Sequence, residues 1–246
     1  MTGMRESVDR RVLGGFSFVD AITSIVITVP LTVTSQQLQV KRNYSGVYAI
    51  FDGPGFHGHT GEFIPAGDWG PVQLFEIAVR DPSLRYLPRR AQVQAPQKLV
   101  AGTFAIQQVL LYPTPSSTVE LNWAVVRVVV VSTNGIPLPW SAVEVLLIDK
   151  SVAAKGVADE RGQALLAVPG MGIQVTSHAT DPVTEATTDV TVQAWFDPGV
   201  LKQPAGWAPN PDDILGNLTN PALKTNTQNG ALGARETLFA TITIAV

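Results

Sequence analysis

The least ordinary chemistry in this chain is offered by His57 and His59, in the stretch Gly-Phe-His-Gly-His-Thr-Gly-Glu-Phe. On an extended segment, side chains two residues apart face the same way. Two imidazoles could therefore aim at one ion, with Glu62, Asp52 or Asp68 supplying a carboxylate. Neither a third adjacent histidine nor an H-E-x-x-H helix accompanies the pair, and the glycines around it describe a solvated loop equally well. His57 and His59 stand as the only metal candidates. The expected metal and cofactor complement is none.

A nucleophilic site is harder still to assemble. His178 is the one remaining histidine, flanked by Ser177 and Asp181, but a triad converges from separate elements rather than from one contiguous run. Short polar neighbours of this kind usually make turn hydrogen bonds. A G-x-S-x-G elbow is missing, and so is a glycine loop followed by Lys-Ser/Thr for phosphates. With no cysteine anywhere, thiolate chemistry and disulfides are excluded. The paired carboxylates Asp159-Glu160 and Asp212-Asp213 fall at a turn and at a helix start, where each has a structural use. No catalytic residue is expected, and the chain reads as a non-enzyme.

Binding chemistry is better represented. Arg85, Tyr86, Arg89 and Arg90 form the densest positive cluster, and Arg and Tyr favour protein interfaces. The competing reading is an edge strand whose charges discourage aggregation. Trp207 sits in a polar, proline-rich stretch, where it either anchors a partner or tucks into its own domain. These five residues are the candidate partner contacts. Charged residues make up only 15% of the chain, below the usual quarter, so much of the surface is neutral. A net charge of -3 without a basic field excludes nucleic acid as a first expectation.

These residues must be positioned by strands. Short β-branched runs recur with turn residues between them: 24–33, 46–52, 71–79, 123–131, 142–148, 163–168, 189–196 and 238–246. The apolar run over 12–33 resembles a membrane anchor only superficially. Asp20 interrupts it and the period after Ile25 is two, so it reads as a strand pair, with neither an export signal nor membrane insertion. One short helix is expected, with Asn210 as N-cap, Pro211 at its first position and Asp212 and Asp213 at the positive end of its dipole.

The expected fold is all-β. An N-terminal arm over 1–11 precedes a first β-sandwich over 12–112, a linker over 113–121 and a second sandwich over 122–246. A long Pro/Asn-rich loop over 198–235 stands before the last strand. The halves echo each other: Ser45-Gly46, a strand and Gly53-Pro54-Gly55 in the first, Arg161-Gly162, a strand and Pro169-Gly170 in the second.

From Trp123 to Thr176 the order of landmarks is a strand, the Asn134-Gly135 turn, Ile-Pro-Leu-Pro-Trp-Ser-Ala-Val-Glu-Val, Asp159, Arg161-Gly162, Gln-Ala-Leu-Leu-Ala-Val and Pro169-Gly170. This resembles the carboxypeptidase regulatory-like domain, a transthyretin-like seven-stranded sandwich. Trp140 departs from its pattern, standing where glycine or a small residue is usual, and Gln163 stands where an aromatic is common. The resemblance implies an accessory, non-catalytic module. The whole chain also resembles proteins of bacterial contractile injection systems, which are phage-tail-like particles, through Arg-Asn-Tyr-Ser-Gly-Val-Tyr-Ala-Ile-Phe-Asp-Gly-Pro-Gly and Ala-Trp-Phe-Asp-Pro-Gly-Val among other words. That resemblance implies a structural subunit, associated with a baseplate or cap, whose partners are other protein subunits or further copies in a symmetric particle assembled in the cytoplasm. Two other functions remain open: a sandwich module recognising a surface ligand or glycan, and a metal-dependent hydrolase built on His57 and His59.

Overall fold

A computed structural model describes residues 12–56, 71–97, 99–100, 103–171, 187–204 and 206–246. The chain is all-β, with sixteen strands and one short helix among these residues. It divides into two compact units. The first takes its described residues from Met1–Asp20, Ser24–Pro82 and Arg90–Leu110, and the second from Ala21–Thr23, Ser83–Arg89 and Leu111–Val246.

In the first unit, β1 (Gly14–Asp20), β3 (Gln39–Arg42), β4 (Val47–Asp52) and β9 (Gln107–Leu111) form a sheet in the order β3-β4-β1-β9. A second sheet has the order β2-β5-β6, from β2 (Thr32–Thr34), β5 (Gln73–Arg80) and β6 (Arg89–Ala95), whose first residue is counted with the second unit. A two-stranded ribbon, β7 (Leu99–Val100) with β8 (Thr103–Phe104), completes the strands here. Every residue of β1 is buried, which is why Phe16, Phe18 and Val19 stand beside glycine and serine, with Asp20 at its end the one charged residue of the strand. Phe16 stacks on Tyr48 with ring centroids 5.5 Å apart, and Phe18 meets the same ring edge-on at 5.3 Å.

The strand pair expected over 12–33 is present only in part. Ile27 N–H donates to Phe18 O and Asp20 N–H to Ile25 O, closing a hairpin, but the chain then leaves the sheet and Ile25 and Val29 are exposed. Pro30 has no N–H for a ladder, so regular pairing resumes only at Thr32.

The second unit is a sandwich of seven strands. One sheet has the order β13-β10-β16, from β10 (Ala124–Ser132), β13 (Gln163–Val168) and β16 (Thr237–Ile244). The other has the order β12-β11-β14-β15, from β11 (Ala142–Leu147), β12 (Val152–Val157), β14 (Thr187–Phe196) and β15 (Lys224–Gly233). Alternate residues of β10 (Ala124, Val126, Val128, Val130) face Val143, Val145, Val192, Phe196, Ile242 and their neighbours in one buried cluster. Each such aliphatic side chain contributes about 1.5–3 kcal/mol by leaving water. Strand β16 runs parallel to β10 from Val125↔Thr237 to Ser132↔Ile244, while every other pair given a register here is antiparallel.

The loop expected over 198–235 ends at Leu223, and a regular strand begins at Lys224. A 3₁₀ turn (Pro198–Lys202) and helix α1 (Pro211–Leu215) precede β15, a ten-residue strand paired with all of β14 from Thr187↔Gly233 to Phe196↔Lys224. Lys-Thr-Asn-Thr-Gln-Asn-Gly-Ala-Leu-Gly lacks β-branched aliphatic residues, because most of this strand is exposed and a hydrogen-bonded partner, rather than apolar burial, holds it straight.

Candidate functional site

The turn that joins β12 to β13 shows how the acidic residues are used. Asp159 Oδ1 accepts from Arg161 N–H (2.8 Å) and Gln163 N–H (2.9 Å), and Oδ2 accepts from Arg161 Nε (3.1 Å). Gly162 has φ +71°, and a Cβ there would meet Val130 O at 2.5 Å. Both turn features require these residue types: a short carboxylate to bind turn amides, and glycine for the left-handed, close-packed corner. Asp159 is structural.

Helix α1 begins as its sequence requires. Asn210 Oδ1 accepts from Asp212 N–H, and Pro211 occupies the first helical position. The same amide oxygen accepts from Arg89 Nη2 at 2.6 Å, and Asp212 Oδ2 takes a second hydrogen bond from that nitrogen, also at 2.6 Å. Arg89 is 1% exposed. Offered by the sequence as a partner contact, Arg89 has its guanidinium engaged inside the second unit, where it ties the segment 83–89 to the start of α1. Tyr112, buried in the same unit, has its hydroxyl pushed up to about 12, first by burial, then by the Asp212 charge, with Arg89 opposing.

The other candidates are put to separate uses. Tyr86 is also buried, at 4% exposure, and bridges to Pro113, so it is a core residue rather than an open contact. Arg85 is exposed and lies over the Tyr86 ring at 5.5 Å from its centroid. Arg90, in the first unit, is half-exposed and pairs with Glu76 at 3.3 Å beside a groove of about 400 Å³ lined by Thr34, Ser35, Gln36 and Gln37. Trp207 is half-buried, packing with Ala208 and Leu215 onto Trp140, Val157 and Val200. Its ring covers its own domain.

His57, His59, Glu62 and Asp68 lie outside the described residues, as do Ser177, His178 and Asp181. Among the described residues no group of three or more His, Asp or Glu side chains is placed to hold a metal ion, and no helix is long and apolar enough to cross a membrane.

Surface features that sequence reasoning passed over are apolar. Tyr44 is fully exposed at the tip of the β3–β4 turn, where Asn43 Oδ1 accepts from Ser45 Oγ and Val47 N–H and Gly46 takes φ +85°. Leu121, Ile148 and Phe239 are also open to solvent. The Asn-Tyr-Ser-Gly turn was the one available signal, since an aromatic at a turn tip has no core to enter. A groove of about 500 Å³ on the four-stranded sheet of the second unit is lined by Ile148, Asp189, Thr191 and Asn229. Thr191 Oγ1 donates to Asn229 Oδ1 within it. On β11, burial raises the Glu144 carboxyl above its ordinary range, against the pull of Lys155 opposite it on β12.

In class, then, this is an all-β chain with a sandwich unit whose charged clusters hold its own turns and helix start. No protein-family model matches the chain, and no curated protein matches it. Among solved structures, the Bacillus anthracis TIE protein aligns over 94% of the chain with a TM-score of 0.28 and 11% identity. The chain spans about a third (34%) of that structure.

Proposed function

We propose that this chain is a non-catalytic structural subunit of a contractile injection system or related phage-tail-like assembly, working through protein–protein contacts at a baseplate or cap. The observation that carries this reading is the division of labour on its surface. Charged side chains such as Asp159, Arg161, Glu76 and Arg90 are paired within the chain, while Tyr44, Leu121, Ile148 and Phe239 stand in solvent. Aromatic side chains such as Tyr44 and Phe239 are the kind enriched at protein–protein interfaces. Support also comes from the sequence resemblance to such particles and from the seven-stranded sandwich. Partners are other protein subunits, including further copies, and neither nucleic acid nor a cofactor has a role. Sedimentation of a native lysate tests it: the chain should travel with a very large particle, and a strictly monomeric protein would overturn the reading.

A second reading, a module for a surface ligand or glycan, draws on the polar groove at Asp189, Thr191 and Asn229. Binding on a glycan array that is lost in Thr191→Val would favour it over the assembly role.

A further inference from the structure

We propose that Asn134 is a site of spontaneous deamidation, set apart by its turn from the second Asn-Gly pair of the chain, Asn229-Gly230. Both pairs have the same local sequence chemistry, because glycine adds no side chain to shield its own nitrogen. What differs is the structure that must open before the reaction can start.

In the reaction, the deprotonated Gly135 nitrogen attacks Asn134 Cγ. A carbon–nitrogen bond forms, the side-chain amide nitrogen leaves as ammonia, and a five-membered succinimide results. Water then adds to either ring carbonyl, giving aspartate or isoaspartate. The balance is one water consumed and one ammonia released, with no oxidant or reductant. The chain becomes one unit more negative.

At Asn134 the geometry favours this. Asn134, Gly135 and Ile136 are all exposed, at the end of β10. Gly135 N–H is held by one hydrogen bond, to Ser132 O at 2.9 Å. With φ +76° and nothing within 4 Å of the position a Cβ would take, Gly135 has open space around it. Opening this turn costs little beyond that bond and its neighbours from Ser132 to Ile136.

Asn229 is exposed too, but with Gly230, which is half-buried, it lies within the ten-residue β14–β15 ladder, Gly230 opposite Val190 and Asn229 opposite Thr191. Asn229 Oδ1 is engaged by Thr191 Oγ1 at 3.0 Å, and the Gly230 backbone is packed so closely that a Cβ would meet Leu238 Cδ2 at 2.8 Å. Rotating the Asn229 amide onto the Gly230 nitrogen requires the middle of that ladder to separate.

Trypsin places the two pairs in different peptides, 128–150 and 225–235. The full chain is held at mildly alkaline pH and 37 °C and sampled by peptide mass mapping. Peptide 128–150 should accumulate the amide-to-acid mass gain and an isoaspartate isomer at least roughly tenfold faster than 225–235, reflecting the different openings. In urea, where the ladder is gone, the two rates should converge. An unmodified 128–150, equal rates in the folded chain, or a difference that persists in urea would each overturn the proposal.

Discussion

Gln97 reaches back to Gly15 and satisfies both of its backbone groups: Gln97 Oε1 accepts from Gly15 N–H at 2.9 Å, and Gln97 Nε2 donates to Gly15 O at 2.9 Å. The side-chain amide takes the place of one residue of a neighbouring strand. Gly14 makes room for it, since a Cβ there would meet Gln97 Cδ at 2.7 Å. Gln107 does the same for β6, accepting from Gln94 N–H and donating to Gln92 O. Carboxamides fit this task because they carry a donor and an acceptor in the geometry of a peptide group.

Gln97→Leu keeps the volume but strips both hydrogen bonds from a buried strand. With two backbone groups left unmatched at about 1–3 kcal/mol each, the loss should be roughly 2–6 kcal/mol. Urea unfolding checks this. An unchanged midpoint would show that water replaces the amide.

Asp212 and Asp213 are adjacent carboxylates at one helix start with unequal duties. Asp212 faces the buried Arg89, whereas Asp213 accepts from Asn210 Nδ2 at 3.0 Å. Asp212 itself is half-exposed, which lowers the cost of breaking the pair below that of a fully buried one. Asp212→Ala should destabilise by about 1–3 kcal/mol and Asp213→Ala by less than about 1 kcal/mol. Equal losses in thermal unfolding would assign the effect to the helix dipole instead.

Tyr112 gives the fold an alkaline limit. Its hydroxyl ionises near 10.0 when unfolded and at about 12 when folded. Above the unfolded value the unfolded chain releases a proton that the folded chain keeps, so stability falls as pH rises from about 10 towards 12. The full loss is roughly 3 kcal/mol, two pKa units' worth. Denaturant titrations across that range should show the decline in the native chain and a shallower one in Tyr112→Phe.

Trp140 combines a strained backbone with a well-packed ring. It has φ +59°, a left-handed conformation that costs a residue other than glycine roughly 1–2 kcal/mol, and it is 8% exposed against Val157 and Val200. Trp140→Gly relieves the first and abandons the second, and a large aromatic leaving a core costs about 3–5 kcal/mol. The variant should be destabilised by roughly 1–4 kcal/mol, and Trp207, which packs on the same cluster, should show a red-shifted, more solvated fluorescence.

Much of this was legible in the sequence where local chemistry decides the outcome. The cap at Asn210, the Asp159 turn, the positive φ at Gly135 and Gly162 and the strand 163–168 all follow from residue type and order. Even the oddity of Trp140 at a glycine position was visible, and its left-handed backbone explains it. What was not legible depends on distant partners. Arg89 looks like a surface charge until Asn210 and Asp212, more than a hundred residues away, close over it. Strand β15 carries no apolar period because its stability comes from the ladder to β14. Segment 24–31 has a strand's alternation but no partner strand beyond the first few residues.

The seam between β15 and β16 carries the last consequence of side-chain amides standing in for backbone. Gln228 Oε1 accepts from Thr241 N–H at 2.9 Å, and Asn226 Nδ2 donates to Thr243 O at 2.7 Å. Strand β16 is the edge of its sheet, with Thr237, Phe239, Thr241 and Thr243 exposed, and an uncovered edge of that composition is a template for another strand. Asn226→Ala with Gln228→Ala removes both amides without touching the core. The double variant should keep its strand content but lose monodispersity, forming dimers or larger species that grow with concentration. Size-exclusion chromatography across a concentration series reads this directly. A variant that runs as the native chain does would mean that the Thr and Phe side chains, not the amides, guard the edge.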